Sequence, residues 1–318
     1  MSLDLDFDDA QRAVADAVAA FCHDRCPDEA LRSASGGFST ALWRDLAELG
    51  ILTLLTPEAE GGALELVAAL EPLGRAVFPG PLAQTFLATQ VLPEAERLAL
   101  AAGEQVVSVG APPLLPWAPL AGIFVELRDG RAFRARPRGP IEPVGTLGGE
   151  PWGRAELERL EDLGDAGRAL VVHDLALAAY LAAAAARLVD DTAEHARTRR
   201  QFGRPIGEFQ AVAHPLADCA MAVAAARDLA RTAAFHLDRG GAEAARAAAG
   251  AARLSARRAA LGTAHTCHQL VGALGITLEG PVFPVSRRIL QLASQPPGDG
   301  PAREAVLEAF GLAQGSPA

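Results

Sequence analysis

The sequence contains no lysine, so all 29 of its basic residues are arginine. Without a lysine side chain, the protein cannot form a Schiff base through an ε-amine, and enzymes that depend on a catalytic lysine are excluded. Acidic residues number 39, and the formal net charge at pH 7 is -10. Nucleic-acid binding needs a concentrated basic face, and no stretch of the sequence supplies one. We therefore expect no nucleic-acid partner.

Cysteine is also scarce. Its four positions, Cys22, Cys26, Cys219 and Cys267, are too scattered in 318 residues for a disulfide framework, and we expect reduced thiols. Cys22, His23 and Cys26 could form part of a metal site, but the segment is helical in pattern and no second ligand pair follows at zinc-site spacing. We interpret them as core or helix-flank residues and predict no metal.

Charge-free apolar runs long enough to span a membrane are missing as well. The first residues, MSLDLDFDDAQ, are acidic where a secretory signal carries positive charge, so we expect a cytoplasmic protein with no membrane partner. The hydrophobic fraction of 50% and the charged fraction of 21% are those of a globular protein that buries a substantial core.

Local patterns predict a mainly α fold with three parts. Residues 1–104 form an N-terminal helical domain, with helical spacing of apolar residues and Gly50 as a helix stop. Residues 105–155 form a truncated middle β segment, because short β-branched runs alternate with Asp-Gly, Pro and Gly. Residues 156–318 form a C-terminal antiparallel four-helix bundle, with long Ala-rich helices that approach closely. Long Ala-rich helices could equally form a purely structural coiled assembly, and composition does not separate that alternative from the bundle.

The segment 197–210, RTRRQFGRPIGEFQ, joins the first two long helices and is unlike a generic helix turn. It combines Arg199 and Arg200 with the step Phe202-Gly203, a proline, and then Gln210 at the start of the next helix. This segment resembles the signature of acyl-CoA dehydrogenases, in which R-x-x-F-G-x-P-I-x-x-F-Q joins two helices of the C-terminal bundle. The resemblance implies the fold of that family.

A second segment, HQLVGALGITLEGPVFPVSRR, is similar to another conserved stretch of the same family. It carries Gln269, Gly272, Gly275 and Glu279, followed by Arg287 or Arg288. The N-terminal LWRDLAELGILTLLTPEAEGG likewise resembles the family's helix and loop before a Gly-Gly pair. Together the resemblances cover most of the chain except its middle.

The resemblance implies a cofactor, FAD, and an acyl-CoA substrate. A guanidinium can bind the pyrophosphate of FAD bidentately, which makes Arg199 the candidate for that contact and favours it over Arg197. The other residues implied in flavin binding come from the same two motifs; they are Phe202, Gly203, Gln210, Gln269, Gly272 and Gly275. In relatives these segments reach a neighbouring subunit's flavin, which implies a homo- or hetero-oligomer, a dimer or tetramer. The alternative to flavin binding, which an isolated pair of arginines would favour, is that Arg199 and Arg200 are solvated residues at a helix end, stabilised there by the helix dipole.

The family's reaction needs a carboxylate that removes the α-proton of the thioester while a β-hydride leaves to flavin. In most relatives this base is a Glu about seventeen residues beyond the equivalent of Glu279, a position that falls here near Gln295 or Pro296. No carboxylate occupies it, and Asp299 is displaced into a Pro/Gly loop. In a minority of relatives the base precedes the first bundle helix, at a position that falls on His173. His173 could act as the base, with Asp174 as the partner that orients it. The alternative is that His173 and Asp174 are an exposed pair on a helix.

Three hypotheses for function follow. The chain is one subunit of a hetero-oligomeric acyl-CoA dehydrogenase whose longer partner supplies the base and the β-barrel, as in bacterial heterotetramers that act on bulky acyl-CoA esters such as steroid side chains. Alternatively, it is a flavin-free structural or acyl-binding homologue. In the third hypothesis it is a self-sufficient homo-oligomer that uses His173 or Asp174.

Overall fold

The computed structural model describes residues 5–33, 37–59 and 61–312. The N-terminal part is helical, as predicted. Its helices are α1 (Asp9–Arg25), α2 (Asp28–Leu31), α3 (Thr40–Glu48), α4 (Ala63–Arg75), α5 (Leu82–Ala88) and α6 (Glu94–Ala101). Helix α1 begins with a capping box, in which the Asp8 carboxylate accepts from the N–H of Gln11 and the Gln11 side chain accepts from the N–H of Asp8. Gly50 ends the α3 segment in the left-handed conformation, with φ of 76°.

The Gly61-Gly62 pair before α4 allows the C-terminal part to approach closely. Asp238, the last residue of a long helix, accepts hydrogen bonds from the N–H groups of Ala63 (2.6 Å) and Leu64 (3.1 Å). Its carboxylate thereby caps the first turn of α4 from another domain. A Cβ atom on Gly62 would lie 2.7 Å from Asp238 Oδ1, so the cap depends on glycine at this position.

The middle part consists of two small sheets. Its strands are β1 (Val107–Gly110), β2 (Leu114–Pro116), β3 (Ile123–Arg128), β4 (Arg131–Pro137), β5 (Glu142–Val144), β6 (Trp152–Arg154) and β7 (Leu157–Asp165). One sheet has the order β1-β3-β4-β7 and the other the order β2-β6-β5. β1 and β3 are parallel, and the other neighbours are antiparallel. Asp129 and Gly130, both with positive φ, form the two-residue turn between β3 and β4.

The prediction that helix begins at Glu156 was wrong, because Leu157–Asp165 forms β7 and pairs with β4. The middle part therefore extends about ten residues beyond the predicted limit of 155. β7 has the sequence LERLEDLGD and lies at the edge of its sheet with most side chains exposed. This segment is rich in charged residues, as a surface helix is. An exposed edge strand carries charged side chains too, so the composition fits both elements.

The C-terminal part contains three long helices in antiparallel succession. Its elements are α7 (Gly167–Thr198), β8 (Arg200–Gln201), β9 (Arg204–Pro205), α8 (Gln210–Asp238), α9 (Ala242–Val271), α10 (Phe283–Ala293) and α11 (Gly300–Ala309). α7, α8 and α9 pack against one another; α11 lies along α9, and α10 contacts α7 and α9. The predicted mainly helical class, with an N-terminal helical domain, a small sheet region and a C-terminal helical domain, is confirmed.

Helix α7 lies at the centre of the molecule. It is long and apolar enough to cross a membrane by length and composition, but 89% of its most apolar window is buried inside the protein, as in the core helix of a soluble protein. Small residues bring its neighbours close: a Cβ on Gly74 of α4 would lie 2.5 Å from the Tyr180 carbonyl oxygen. The Tyr180 hydroxyl donates to the Phe78 carbonyl (2.9 Å), which joins α7 to the N-terminal part.

We expect Gly62→Ala to destabilise the protein by about 1–3 kcal/mol, because the added methyl group collides with the Asp238 carboxylate. Gly262→Ala is the matched control. Gly262 lies inside α9, and a Cβ atom added there would meet no other atom within 4 Å, so alanine should raise the free energy of unfolding by about 0.5–1 kcal/mol. Urea unfolding measures both; a Gly62→Ala protein as stable as the wild type would contradict the capping role.

Candidate functional site

A short hairpin projects from the end of the helical bundle between α7 and α8. Arg200–Gln201 pairs with Arg204–Pro205, and the turn residues Phe202 and Gly203 have φ of 51° and 82°. Two successive positive φ values define the tight turn of a two-residue hairpin. The Phe202 side chain at its tip is 94% exposed and meets Phe209 edge-on, with ring centroids 6.1 Å apart. An aromatic side chain presented in this way is available to another molecule.

The arginines of this hairpin differ in what they contact. Arg197 forms an ion pair with Glu194 (2.9 Å), Arg200 donates to the Gly203 carbonyl (3.0 Å), and Arg204 lies over the Phe209 ring at 4.2 Å. Among the residues that the structure describes, the exposed guanidinium of Arg199 has no hydrogen-bond acceptor. Burial lowers the pKa of His195, and the positive charge of Arg199 lowers it further. Arg199 is therefore the arginine of this set whose guanidinium is open to an external anion.

The second motif lies at the end of α9. Gln269 is exposed on the last turn, and Gly272 ends the helix with φ of 70° and ψ of -142°, a conformation essentially restricted to glycine. Gly275 is buried in the following 3₁₀ turn, where a Cβ atom would lie 3.3 Å from the His268 carbonyl oxygen. The backbone of this turn thus requires glycine at Gly272, and a side chain at Gly275 would be tightly packed against the end of α9.

The two motifs lie at the same end of the bundle, because α7 and α9 end where α8 begins. Large apolar side chains are exposed at this end and along α8; they are Phe202, Met221, Leu274, Ile276 and Leu278. A groove of about 540 Å³ runs between α7, the hairpin and the first turns of α8, with an apolar lining that includes Val189, Val212 and Leu216. This end of the bundle has the character of an interface for another chain.

Comparison with known proteins decides the family. The family model of the acyl-CoA dehydrogenase N-terminal domain matches residues 8–102, and that of the C-terminal domain matches residues 165–303. Acyl-CoA dehydrogenase IpdE2 of Mycolicibacterium smegmatis is 33% identical over 229 residues, which cover 66% of this chain and 72% of that protein. The chain belongs to the acyl-CoA dehydrogenase family. The predicted resemblance is thereby confirmed.

A second relative and several solved structures are also similar to this chain. IpdE2 of Mycobacterium tuberculosis is 35% identical over 212 residues, and the match spans 60% of this chain and 64% of that relative, slightly under two thirds of its length. Among solved structures, the ChsE4-ChsE5 complex of M. tuberculosis has a TM-score of 0.81 at 23% identity and covers 98% of this chain and 100% of the matched chain. PigA with FAD and proline has a TM-score of 0.83 at 18% identity, with the same coverage. At these identities the structures show the fold.

The position where most of the family carries its base falls, as counted from Glu279, at Gln295 or Pro296. Gln295 is fully buried at the junction of the three domains. Its Nε2 donates to Glu150 Oε2 (2.7 Å), and its Oε1 accepts from Gln84 Nε2. One of the two residues at the family position is therefore an amide that binds a carboxylate from the middle domain.

Glu150 is the centre of this junction. It is 4% exposed and forms an ion pair with Arg288 of α10, while Trp152 Nε1 donates to it (3.2 Å). Arg288 also donates to the Gly80 carbonyl (3.2 Å). Burial lowers the pKa of Arg288 to about 9, still above neutral pH, and the adjacent carboxylate favours its charged form. The prediction placed Arg287 or Arg288 in the second motif without a partner; the structure assigns Arg288 to Glu150.

His173 and Asp174 are not an exposed helical pair, so that alternative was wrong. His173 is 1% and Asp174 6% exposed, and His173 Nδ1 lies 3.2 Å from Asp174 Oδ1. Arg253 of α9, fully buried, has its Nε 3.7 Å from Asp174 and one Nη 3.8 Å from Asp299. Asp299, displaced in sequence, is thus brought near Asp174 through Arg253. Whether His173 or Asp174 acts in catalysis stays a prediction.

Glu150 and Arg253 were missed by sequence reasoning. Glu150 lies in the loop GGEPW, and Arg253 lies in an Ala-rich helix. Neither sequence pattern predicts a buried charge. The available signal was weak: an Arg at an inward position of an amphipathic helix requires a buried partner. Within the described residues, no three His, Cys, Asp or Glu side chains are grouped for a metal ion.

We expect Glu150→Ala to reduce the free energy of unfolding by about 3–5 kcal/mol, because it leaves the buried Arg288 guanidinium without its counter-ion. Glu158→Ala is the control, since Glu158 forms an exposed ion pair with Arg136 at 2.9 Å and its loss should cost at most about 1 kcal/mol. Urea unfolding of the two variants compares them. Equal losses would show that the Glu150 pair is no more important than a surface pair.

Proposed function

We propose that this chain is one subunit of a hetero-oligomeric, FAD-dependent acyl-CoA dehydrogenase that introduces an α,β double bond into an acyl-CoA thioester. A second, longer subunit of the same family supplies the catalytic carboxylate and the complete β-barrel. The observation that carries the proposal is the combination of an unengaged Arg199 guanidinium and an exposed Phe202 ring on one hairpin of the described chain. Both groups face outward, as required of residues that act in a partner's site.

The residues of the hairpin and of the turn after α9 fit a flavin dinucleotide held by the partner. A pyrophosphate would be bound by the planar guanidinium of Arg199, and Phe202 supplies an apolar surface beside it. Gln269 and the backbone at Gly272 lie at the same end of the bundle and offer further hydrogen-bonding groups. When bound, the flavin supplies the acceptor for the hydride that leaves the β-carbon.

The absence of a usable base among the described residues at the family position supports the assignment to a partner. Desaturation breaks the α-C–H bond, the proton goes to a carboxylate, and the β-C–H electron pair leaves with its hydrogen as hydride while the double bond forms. The base must reach the substrate. Gln295 cannot accept that proton, and Glu150 is engaged with Arg288. A carboxylate from the other subunit completes the site.

Two solved structures of similar fold support a hetero-oligomer. One similar solved structure is the ChsE4-ChsE5 complex, and another is a variant of the Tcur3481-Tcur3483 steroid ACAD; the latter has a TM-score of 0.81 at 22% identity and covers 95% of this chain and 98% of the matched chain. The exposed apolar residues of α8, including Met221, provide a surface on which a second chain would pack. Bulky acyl-CoA esters are accordingly the substrate class to test first.

The test is co-expression with an adjacent gene that encodes a second chain of the family. The purified pair should reduce ferrocenium with acyl-CoA substrates, and each chain alone should be inactive. Full activity and full flavin content of this chain alone would overturn the proposal.

In the active pair, Arg199→Ala should lower the affinity for FAD by about 10–100-fold, because one charge-assisted contact to the pyrophosphate is removed. Arg197→Ala is the matched control: Arg197 lies two residues away and is occupied by Glu194, so its loss should change FAD affinity less than about 3-fold. Quenching of flavin fluorescence on titration measures both. Equal effects of the two variants would remove the assignment of Arg199.

His173→Asn tests the self-sufficient alternative. Since His173 is 1% exposed and contacts Asp174, we expect the variant to lose stability but to keep turnover per folded complex within about 5-fold. Turnover is measured on protein whose folded fraction is known from circular dichroism. A loss greater than about 100-fold in folded protein would identify His173 as the base.

The second candidate function is a flavin-free structural or acyl-binding homologue. The closed packing around Gln295 is the observation that favours it. The visible absorbance of the purified pair separates the candidates, because oxidised flavin is yellow. A colourless pair without turnover would favour the homologue that lacks flavin.

A further inference from the structure

We propose that Cys26 and Cys22 are a redox-active pair of thiols, which a hydroperoxide oxidises to a reversible disulfide. Cys26 is the thiol that reacts with the oxidant, and Cys22 is the thiol that then closes the disulfide. Both are free thiols in the structure. The pair shares no residue with the proposed dehydrogenase site, and its chemistry does not depend on that function.

The two cysteines lie one turn apart at the end of α1. Cys22 is in the last turn of the helix, and Cys26 is the residue that caps its C-terminus. The Cys26 N–H donates to the Cys22 carbonyl (2.9 Å), which holds the two residues in the i, i+4 relation of a helix. Side chains so related have Cβ atoms about 5–6 Å apart, whereas a disulfide needs about 3.5–4.5 Å. A shift of about 1–2 Å is therefore enough for the S–S bond to form.

The end of the helix allows this shift. Cys26 precedes Pro27, and a residue before proline is disfavoured in the helical conformation. Cys26 accordingly has φ of -119° and ψ of 64°, outside the helical region, and α1 ends at Arg25. The last hydrogen bond of the helix is made by the N–H of Cys26 itself. Rotation about the bonds that follow this nitrogen therefore moves the Cys26 side chain and leaves the hydrogen bonds of α1 intact.

The two thiols differ in their access to solvent. Cys22 is 6% exposed and belongs to the largest apolar core, whereas Cys26 is partly exposed and packs against the edge of that core. A small oxidant that arrives from solvent therefore meets Cys26 first. The other two cysteines, Cys219 and Cys267, are both buried, with exposures of 8% and 0%.

The interactions of the pair favour the thiolate form of Cys26. A hydrogen bond with the Cys22 thiol lowers the pKa of Cys26, and the charge of Arg25 lowers it further against the opposing effect of burial. The same hydrogen bond, with burial, raises the pKa of Cys22, which stays protonated. Because the thiolate is the nucleophile, Cys26 is the thiol that reacts. At Cys267, burial raises the pKa to about 11, so that thiol is unreactive at neutral pH.

The oxidation takes place in two steps. The Cys26 thiolate attacks the terminal oxygen of the hydroperoxide; an S–O bond forms, the O–O bond breaks, and the alkoxide or hydroxide leaves and takes up a proton. The Cys22 sulfur then loses its proton and attacks the sulfenic sulfur of Cys26; the S–S bond forms, the S–O bond breaks, and water leaves. The two sulfurs together lose two electrons, which reduce the peroxide. A dithiol reductant reverses the reaction.

The pair lies beside the central helix of the molecule. The pKa of Tyr180 in α7 is raised by burial and, to a smaller extent, by the charges of Cys26 and Cys22. The Tyr180 hydroxyl also donates to the Phe78 carbonyl (2.9 Å) of the N-terminal part. The disulfide would therefore form next to a contact between the N-terminal helices and α7.

Peptide mapping of the whole protein tests the pairing. Trypsin cleaves after Arg25, so Cys22 is found in residues 13–25 and Cys26 in residues 26–32. After treatment with hydrogen peroxide and blocking of the remaining thiols, we expect the two peptides as one linked species. Its mass should be that of their sum less two hydrogen atoms, and dithiothreitol should separate it. Absence of the linked species after peroxide treatment would overturn the proposal.

Serine variants test the roles of the two thiols. In Cys22→Ser the sulfenic acid at Cys26 should persist and react with dimedone, whereas in Cys26→Ser we expect at least about 10-fold less label at Cys22. Circular dichroism checks that both variants are folded, and the peptide map of the unmodified sequence decides the pairing where a variant is not. Equal labelling of Cys22 and Cys26 would overturn the assignment of Cys26 as the reactive thiol.

The buried cysteines supply the matched control. Cys219→Ser with Cys267→Ser should form the linked peptide to the same extent as the wild type, because neither thiol takes part. Linked peptides that contain Cys219 or Cys267, or loss of the expected species in this control, would overturn the pairing of Cys22 with Cys26.

Discussion

The ion pair between Glu150 and Arg288 is the interaction on which the arrangement of the three domains depends. Glu150 belongs to the middle domain, Arg288 to α10, and Arg288 also reaches the backbone at Gly80 in the N-terminal part. Both charges are almost completely removed from water, so neither is tolerated without the other. The pair therefore helps to fix how the sheets lie against the helices.

Close helix packing provides the frame for this junction. α7 is lined by alanine and is buried over most of its length, which allows α4, α8 and α9 to contact it directly. Gly74 lets α4 approach the backbone of α7 near Tyr180, and Gly62 lets Asp238 cap α4. Small side chains at these crossings replace the large interlocking side chains that other helical cores use. The irregular features of this frame lie at the ends of the helices.

The functional features of the molecule lie in two separate places. At one end, the hairpin with Arg199 and the turn with Gly272 present polar and aromatic groups outward. At the junction, by contrast, Gln295 and Glu150 use their hydrogen-bonding capacity on each other. A chain with these two properties is suited to complete another subunit's site.

The sequence by itself determined the family, the helical parts and the motif residues, because these depend on local periodicity, on turn residues such as Phe202-Gly203, and on motifs of fixed spacing. It did not determine that Leu157–Asp165 is a strand, since a charged edge strand and a surface helix share a composition. Only the tertiary structure showed that His173 and Asp174 are buried and that Asp299 lies near them through Arg253. It alone paired Glu150 with Arg288, residues 138 positions apart, because long-range contacts between single charges leave no local pattern in a sequence.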